Sequence, residues 1–201
     1  RVIHDATTVR HAEKALDAGV DGLMLTCAGA GGHSGLLSPF AFIPAVRAGY
    51  DGLIVAGGGI ANGVGITAAL TLGADLACMG TRFIATHESG AVAGHKAMIA
   101  AARVEDIFMS DAMNGVAANW IRQSVAAVGL DPDALPPKRG PLRGAAMPEG
   151  VRPRRDIWSA GHSAGLIDEV LPVETLVARL AAEFAAAPSD WRTRLARFTA
   201  W

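Results

Sequence analysis

The sequence predicts an α/β protein built from consecutive βα units around a parallel sheet. One short pattern recurs: Ala18-Gly19-Val20-Asp21, Ala48-Gly49-Tyr50-Asp51 and Leu72-Gly73-Ala74-Asp75. Each copy follows an amphipathic or apolar helical stretch and precedes an apolar run, at residues 23–25, 53–56 and 76–79. Those runs are nearly continuous in apolar character, as expected of strands covered on both faces. The glycine suits a helix C′ position in the left-handed conformation, and the Asp then stands before a strand. An αβ loop used three times marks alternating units.

The elements follow in order. A first strand is expected over residues 2–5. Thr7 or Thr8 caps a helix carrying Val9, Ala12, Ala15 and Leu16 at helical spacing. The second strand covers 22–26. Ser38-Pro39 reads as an N-cap followed by the first helical position, with Pro44 suggesting a later start to the regular helix. A third strand over 53–57 precedes a weakly polar, well-buried helix over 61–72. The fourth strand covers 76–79. Beyond residue 84 the pattern changes to helices and loops. An Ala-rich helix is expected over 91–104 and another over 117–128. Residues 130–155 hold most of the prolines and several arginines, which predicts a long extended segment and would allow a disordered linker. An amphipathic helix over 176–187 closes the chain. Four βα units are half of an eightfold barrel or part of an open doubly wound sheet. In both, function is expected at the carboxyl ends of the strands.

Composition narrows the function classes. Hydrophobic residues make up 51% of the 201 and charged residues 18%, which implies a real core and argues against disorder. A net charge of −1 offers no electrostatic case for nucleic acid or an anionic membrane. A mean hydropathy of +0.30 raises the question of a membrane span. The best candidate, residues 63–80, contains Asp75 and is punctuated by Gly65, Gly73 and Gly80, so it reads as helix, turn and strand. Residues 1–20 carry Arg1, Asp5, Arg10, Glu13, Lys14 and Asp17 and no long apolar core, so no signal peptide is expected. Cys27 and Cys78 lack metal-ligand spacing and fit buried thiols in a reducing compartment. The expectation is a soluble, cytoplasmic protein. The chain begins at Arg1 and enters a strand-like run at once, which suggests a fragment or a trimmed chain.

The candidate chemistry centres on His33 within Ala28-Gly29-Ala30-Gly31-Gly32-His33-Ser34-Gly35. Glycine lets backbone approach a ligand closely, and histidine titrates nearest physiological pH. Two further glycine loops follow strands: Gly57-Gly58-Gly59-Ile60 and Met79-Gly80-Thr81-Arg82-Phe83. Backbone N–H groups at such strand-to-helix turns make an anion site, and βα barrels place a phosphate site on their last two loops. No P-loop, dinucleotide-binding fingerprint, Gly-x-Ser-x-Gly elbow or His-Glu-x-x-His pair occurs, and no metal is expected. His4 reads as a buried structural histidine, and His87, Glu88 and His95 as solvated. Arg82 suits a phosphate ligand or an ion pair equally. Cys27, Trp120, Trp158, Trp191 and Trp201 read as packing residues.

In combination, residues 30–35, Ala56-Gly57-Gly58-Gly59-Ile60 with Gly63, Ala68-Ala69-Leu70, Leu72-Gly73-Ala74-Asp75 and Met79-Gly80-Thr81-Arg82-Phe83 resemble the nitronate monooxygenases, formerly called 2-nitropropane dioxygenases. The run Trp158-Ser159-Ala160-Gly161 is similar to that family's C-terminal segment. The resemblance implies an FMN-dependent βα (TIM) barrel that oxidises alkyl nitronates with O₂ to a carbonyl compound and nitrite. It makes residues 1–128 the second half of the barrel, strands five to eight, with residues 129–201 packed on it. By the same resemblance His33 is the base beside the flavin. Gly58, Gly59, Gly80 and Thr81 hold the FMN phosphate through backbone N–H groups and the Thr hydroxyl. Gly31 and Gly57 lie against the flavin or its ribityl chain. The implied partners are a nitronate or nitroalkane and O₂, with a second copy of the chain as a candidate. The sequence departs from the family pattern at Gly29 or Ala30, where many members are acidic. It also departs at Asp5, near a common Lys, and at His162, where many have Gln, so His162 becomes a candidate flavin-facing residue or a surface loop. These departures bear on the substrate more than on the cofactor. The alternatives are an FMN-dependent enoyl-[acyl carrier protein] reductase using a nicotinamide donor, or a half-barrel that binds a phosphate ligand without catalysis.

Overall fold

An apolar strand is stable only when its amides are paired, and the computed structural model pairs the four expected strands with one another. It describes residues 1–141 and 143–196. In chain order the first elements are β1 (Ile3–Ala6), α1 (Val9–Asp17), β2 (Gly22–Thr26), β3 (Gly32–His33), α2 (Pro39–Arg47), β4 (Leu53–Gly57) and α3 (Gly63–Thr71). There follow β5 (Leu76–Cys78), α4 (Thr81–Ile84), α5 (Ala93–Ala101), β6 (Ile107–Ser110), β7 (Ala118–Ile121), α6 (Arg122–Ala126) and α7 (Val173–Ala196). One sheet is parallel in the order β1-β2-β4-β5, with Leu25 beside Ala6 and Ala56. A second, in the order β3-β7-β6, is antiparallel.

Side chains alternate across a strand, so each parallel strand shows two different faces. Ala6, Leu23, Leu25, Ile54 and Ala56 are buried against Ala12 and Ala15 of α1, Phe42 and Ile43 of α2 and Ala69 of α3. On the other face Ile3 is 51% exposed and Leu76 53%, and Cys78 is exposed as well. The expected burial of both faces therefore holds for one face within this chain. The expectation of two buried thiols holds for Cys27 alone, because Cys78 lies on the open face.

The repeated Gly-x-Asp loops work as expected at two of three copies. Gly19 and Gly73 take φ of +80° and +109°, which a side chain would resist, and Gly49 does not. The Asp clips neighbouring strands together at their amino ends. Asp21 accepts the Val2 N–H at 2.6 Å while its own N–H donates to the Val2 carbonyl. Asp75 treats Ile54 in the same way, at 2.8 Å. Arg47 at the end of α2 locks the third copy, donating to Asp75 and to the carbonyls of Gly73, Tyr50 and Gly52. Thr8 caps α1 by accepting the His11 N–H. α2 begins at Pro39 as expected, and it contains Pro44 in its interior.

Residues 117–128 differ from the expected helix. Ala118–Ile121 form a fully buried central strand, and only Arg122–Ala126 turn into helix. Pairing on both sides decides this: β7 meets β3 on one side and β6 on the other, and the Trp120 indole donates to the Ser110 carbonyl at 3.1 Å. Residues 130–155 form, among the described residues, no helix or strand beyond isolated bridges. Leu130, Leu135, Met147 and Val151 nonetheless pack against Met113, Trp120, Val125 and Ile157. α7 extends well beyond the expected closing helix and lies on α3, where Glu183 accepts the Gly63 N–H at 2.9 Å. Trp201 and the side chain of Trp191 lie outside the described residues. No helix among the described residues is long and apolar enough to cross a membrane.

Loss of the Arg47 network in Arg47→Met is expected to lower the unfolding free energy by about 1.5–3 kcal/mol, read by urea titration. The Asp75 carboxyl is held below its ordinary range chiefly by the Ile54 N–H, with burial opposing and Arg47 reinforcing. A depressed folded value gives stability that is complete above the unfolded value, near 3.8, and is lost as pH falls through the lower folded value. Asp75→Asn is expected to flatten the pH dependence of stability below that point, measured by denaturant unfolding at successive pH values.

Candidate active site

At the carboxyl end of β2 the chain leaves the sheet and runs through its glycine loop under several restraints. The Cys27 N–H donates to the Gly57 carbonyl and the Ala28 N–H to that of Leu37, both at 2.8 Å. Asn119 of β7, 1% exposed, donates from Nδ2 to the Ala30 carbonyl at 2.7 Å. The loop then enters β3, where His33 pairs with Ala118. His33 is thus carried on a paired strand rather than on a free turn.

Three segments meet beside it. The Gly161 N–H donates to Thr81 Oγ1 at 2.9 Å, and the His162 N–H donates to the Gly29 carbonyl at 3.0 Å. A Cβ on Gly31 would sit 2.8 Å from Gly161 N and 3.0 Å from Thr81 Oγ1. Gly31 is therefore required by protein packing as well as lining the adjoining hollow. That hollow, of about 180 Å³, is bounded by Gly31, Gly32, Gly80, Thr81, Ile84 and Ser159.

The two later glycine loops lie on neighbouring strands, β4 and β5. Among the described residues, the amides of Gly58, Gly59, Gly80 and Thr81 donate to no acceptor. Gly58 takes φ of +130°, and a Cβ there would press on the Cys27 and Ala28 carbonyls at 3.0 Å. At Gly59 and Gly80 a Cβ would meet nothing within 4 Å, so protein packing does not require glycine at either position. Unpaired donors without side chains in front of them fit a phosphate group. Thr81 is buried, and its hydroxyl oxygen accepts from Gly161, which leaves both its backbone N–H and its hydroxyl proton as donors. Gly57 is buried at the end of β4, and a Cβ there would come within 3.2 Å of the Met24 methyl.

Two residues that no local motif marks converge on His33. Arg154 Nη2 lies 3.2 Å from His33 Nε2 and Asn114 Nδ2 lies 3.4 Å away. Asn114 Oδ1 accepts the Val116 N–H, which orients the amide with its NH₂ toward the imidazole. Both residues come from segments far along the chain, and no spacing could have paired them with His33.

Other candidates fall elsewhere. The buried Arg82 guanidinium donates to the Glu169 carbonyl at 3.2 Å and lies near Arg179 as well as Glu169, Asp168 and Glu183. His95 is not solvated: it stacks on Trp158 at 5.3 Å and bonds the Ser159 carbonyl at 3.1 Å, and burial lowers its pKa. The Glu88 carboxylate accepts the Val173 N–H, at the start of α7. His4 is exposed in a surface hollow beside His11 and Lys14 rather than buried. His162 is exposed, with Nδ1 beside Gly29. Burial pushes the Cys27 thiol up to about 11, which leaves it inert and suited to packing. Trp120 is a fully buried packing residue.

The family model for nitronate monooxygenase matches residues 1–183. The chain belongs to the nitronate monooxygenase family. It is 30% identical over 200 residues to a nitronate monooxygenase of Paraburkholderia phytofirmans, covering 91% of this chain and 54% of that protein. The solved structure of FabK from Thermotoga maritima matches with a TM-score of 0.75 at 26% identity, over 96% of this chain and 64% of that one. A nitroalkane oxidase from Streptomyces ansochromogenes matches with a TM-score of 0.70 at 26% identity, over 94% and 58%. The chain spans about half the length of the named monooxygenase relatives it matches.

Asn119 joins β7 to the glycine loop of this nitronate monooxygenase family member through one buried side chain. Asn119→Ala strands the Ala30 carbonyl and is expected to cost about 1–3 kcal/mol of stability, read by chemical denaturation.

Proposed function

We propose that residues 1–128 are the second half of an FMN-binding (β/α)₈ barrel with residues 129–201 packed on it. The complete protein then oxidises alkyl nitronates with O₂ to a carbonyl compound and nitrite. The observation that carries the reading is the shared edge: His33 and the four unpaired amides of Gly58, Gly59, Gly80 and Thr81 all follow the carboxyl ends of successive parallel strands. Family membership supports the same activity. The open apolar face at Ile3 and Leu76, and the single neighbour of β1 and of β5, support a barrel completed by further strands.

In this reading the four amides grip the phosphate, and Gly31 and Gly57 present bare backbone to the flavin or its ribityl chain. Bound FMN supplies the transfer of electrons from substrate to O₂. His33 takes the α-proton of a neutral nitroalkane on Nε2: the C–H bond breaks, its electron pair moves onto the nitro group, and the N–H bond forms. With a nitronate the proton is already gone, and His33 has only to position the anion. Substrate and O₂ are the small-molecule partners.

The test is a flavin spectrum of the full-length protein, followed by anaerobic reduction. A yellow protein containing FMN and bleached by ethylnitronate is expected. Bleaching by NADPH and not by ethylnitronate replaces the reading with a nicotinamide-dependent reductase, and a colourless protein replaces it with ligand binding without redox chemistry. His33→Asn is expected to retain flavin while turnover of neutral nitroethane falls by about 10²–10⁴-fold.

A further inference from the structure

Arg154 lies in a turn whose other charges are accounted for. Arg155 pairs with Asp156 at 2.7 Å, and Asp156 also accepts the Arg152 N–H. Arg154 forms no ion pair among the described residues. Its guanidinium reaches His33 instead, at 3.2 Å. A guanidinium only donates, so in this contact His33 Nε2 is the acceptor. The Asn114 NH₂ adds a second donor toward the same nitrogen at 3.4 Å.

The backbone makes this placement deliberate. Arg154 is the non-glycine residue with positive φ, 70°, among those described. Such a conformation persists only where the surroundings over-determine it, and it tends to occur at functional sites. Here the Arg154 N–H donates to the Ile157 carbonyl at 2.8 Å, and Ile157 is fully buried with Trp120 and Val125. An anchored turn thus delivers an uncompensated cation to the candidate base. One lone pair on Nε2 uses a single N–H of a group that carries five.

We propose that Arg154 is the anion anchor of the site. It binds a planar two-oxygen anion, the nitro-group oxygens of a nitronate, and leaves Nε2 as it does so. The inference rests on the reading under Proposed function for the identity of that anion. In the resting arrangement Arg154 caps the His33 lone pair. An anion in the site draws the planar fork onto its two oxygens, the geometry a guanidinium suits best.

The test uses the full-length protein with Arg154→Asn, since Asn tolerates positive φ, and Arg154→Lys, with far-UV circular dichroism as the check on folding. Arg154→Asn is expected to raise KM for ethylnitronate about tenfold or more, and for neutral nitroethane less than about threefold. Arg154→Lys recovers part of the loss, because charge returns without the fork. A second readout needs no turnover. In the cofactor-free protein, ¹⁵N imidazole signals should show His33 Nε2 unprotonated. Nitrate should shift them saturably in the wild type and not in Arg154→Asn, with chloride at equal ionic strength inactive. An unchanged KM for ethylnitronate in Arg154→Asn overturns the proposal. So do nitrate shifts that persist in that variant, or wild-type signals that nitrate leaves unmoved. A wild type that does not oxidise nitronates removes the functional reading, and the nitrate titration alone then decides the role of Arg154.

Discussion

Gly31 and Gly161 approach so closely that neither position has room for a side chain, and Thr81 Oγ1 accepts the Gly161 N–H at that contact. This contact ties the loop after β2, the turn after β5 and the segment before residue 162 into one body. Each of the three carries part of the candidate site. Without the contact, the loops would be independent turns on a sheet edge, and unpaired amides would be free to turn toward water. Close backbone packing is what holds several strand ends in one geometry, and it needs glycine on both sides of the contact.

The second, antiparallel sheet extends this arrangement to His33. β7 is buried and pairs on both sides, so it fixes β3, and its Asn119 reaches back to the glycine loop. The segment after α6 contributes in another way. Its apolar residues pack against Trp120 and Ile157, and that packing sets the turn that carries Arg154. A proline-rich stretch thereby delivers a charge to the imidazole without forming a regular element. Proline restricts the chain and removes donors, which suits an extended path over a surface.

The parallel sheet shows an imbalance of its own. Its helix-facing side is closed by α1, α2 and α3, while the opposite side leaves Ile3, Leu76 and Cys78 exposed. The Asp21 and Asp75 clips secure the amino ends of the strands, and the glycine loops occupy the carboxyl ends. The stabilising clips and the candidate site thus stand at opposite edges of the sheet, as in βα folds generally.

By itself the sequence determined the parallel βα frame, the helix cap at Thr8, and the strand-end positions of His33, Gly58, Gly59 and Gly80. These depend on local matters: hydrophobic period, glycine conformation and capping chemistry act within a few residues. Only the tertiary structure decided that residues 118–121 are a strand, because that choice depended on two distant partners for their amides. It likewise decided that Arg82 meets the Glu169 carbonyl, that His95 stacks on Trp158, and that Arg154 meets His33. A side chain's partner across more than a hundred residues follows from how layers stack, and no periodicity along the chain encodes it.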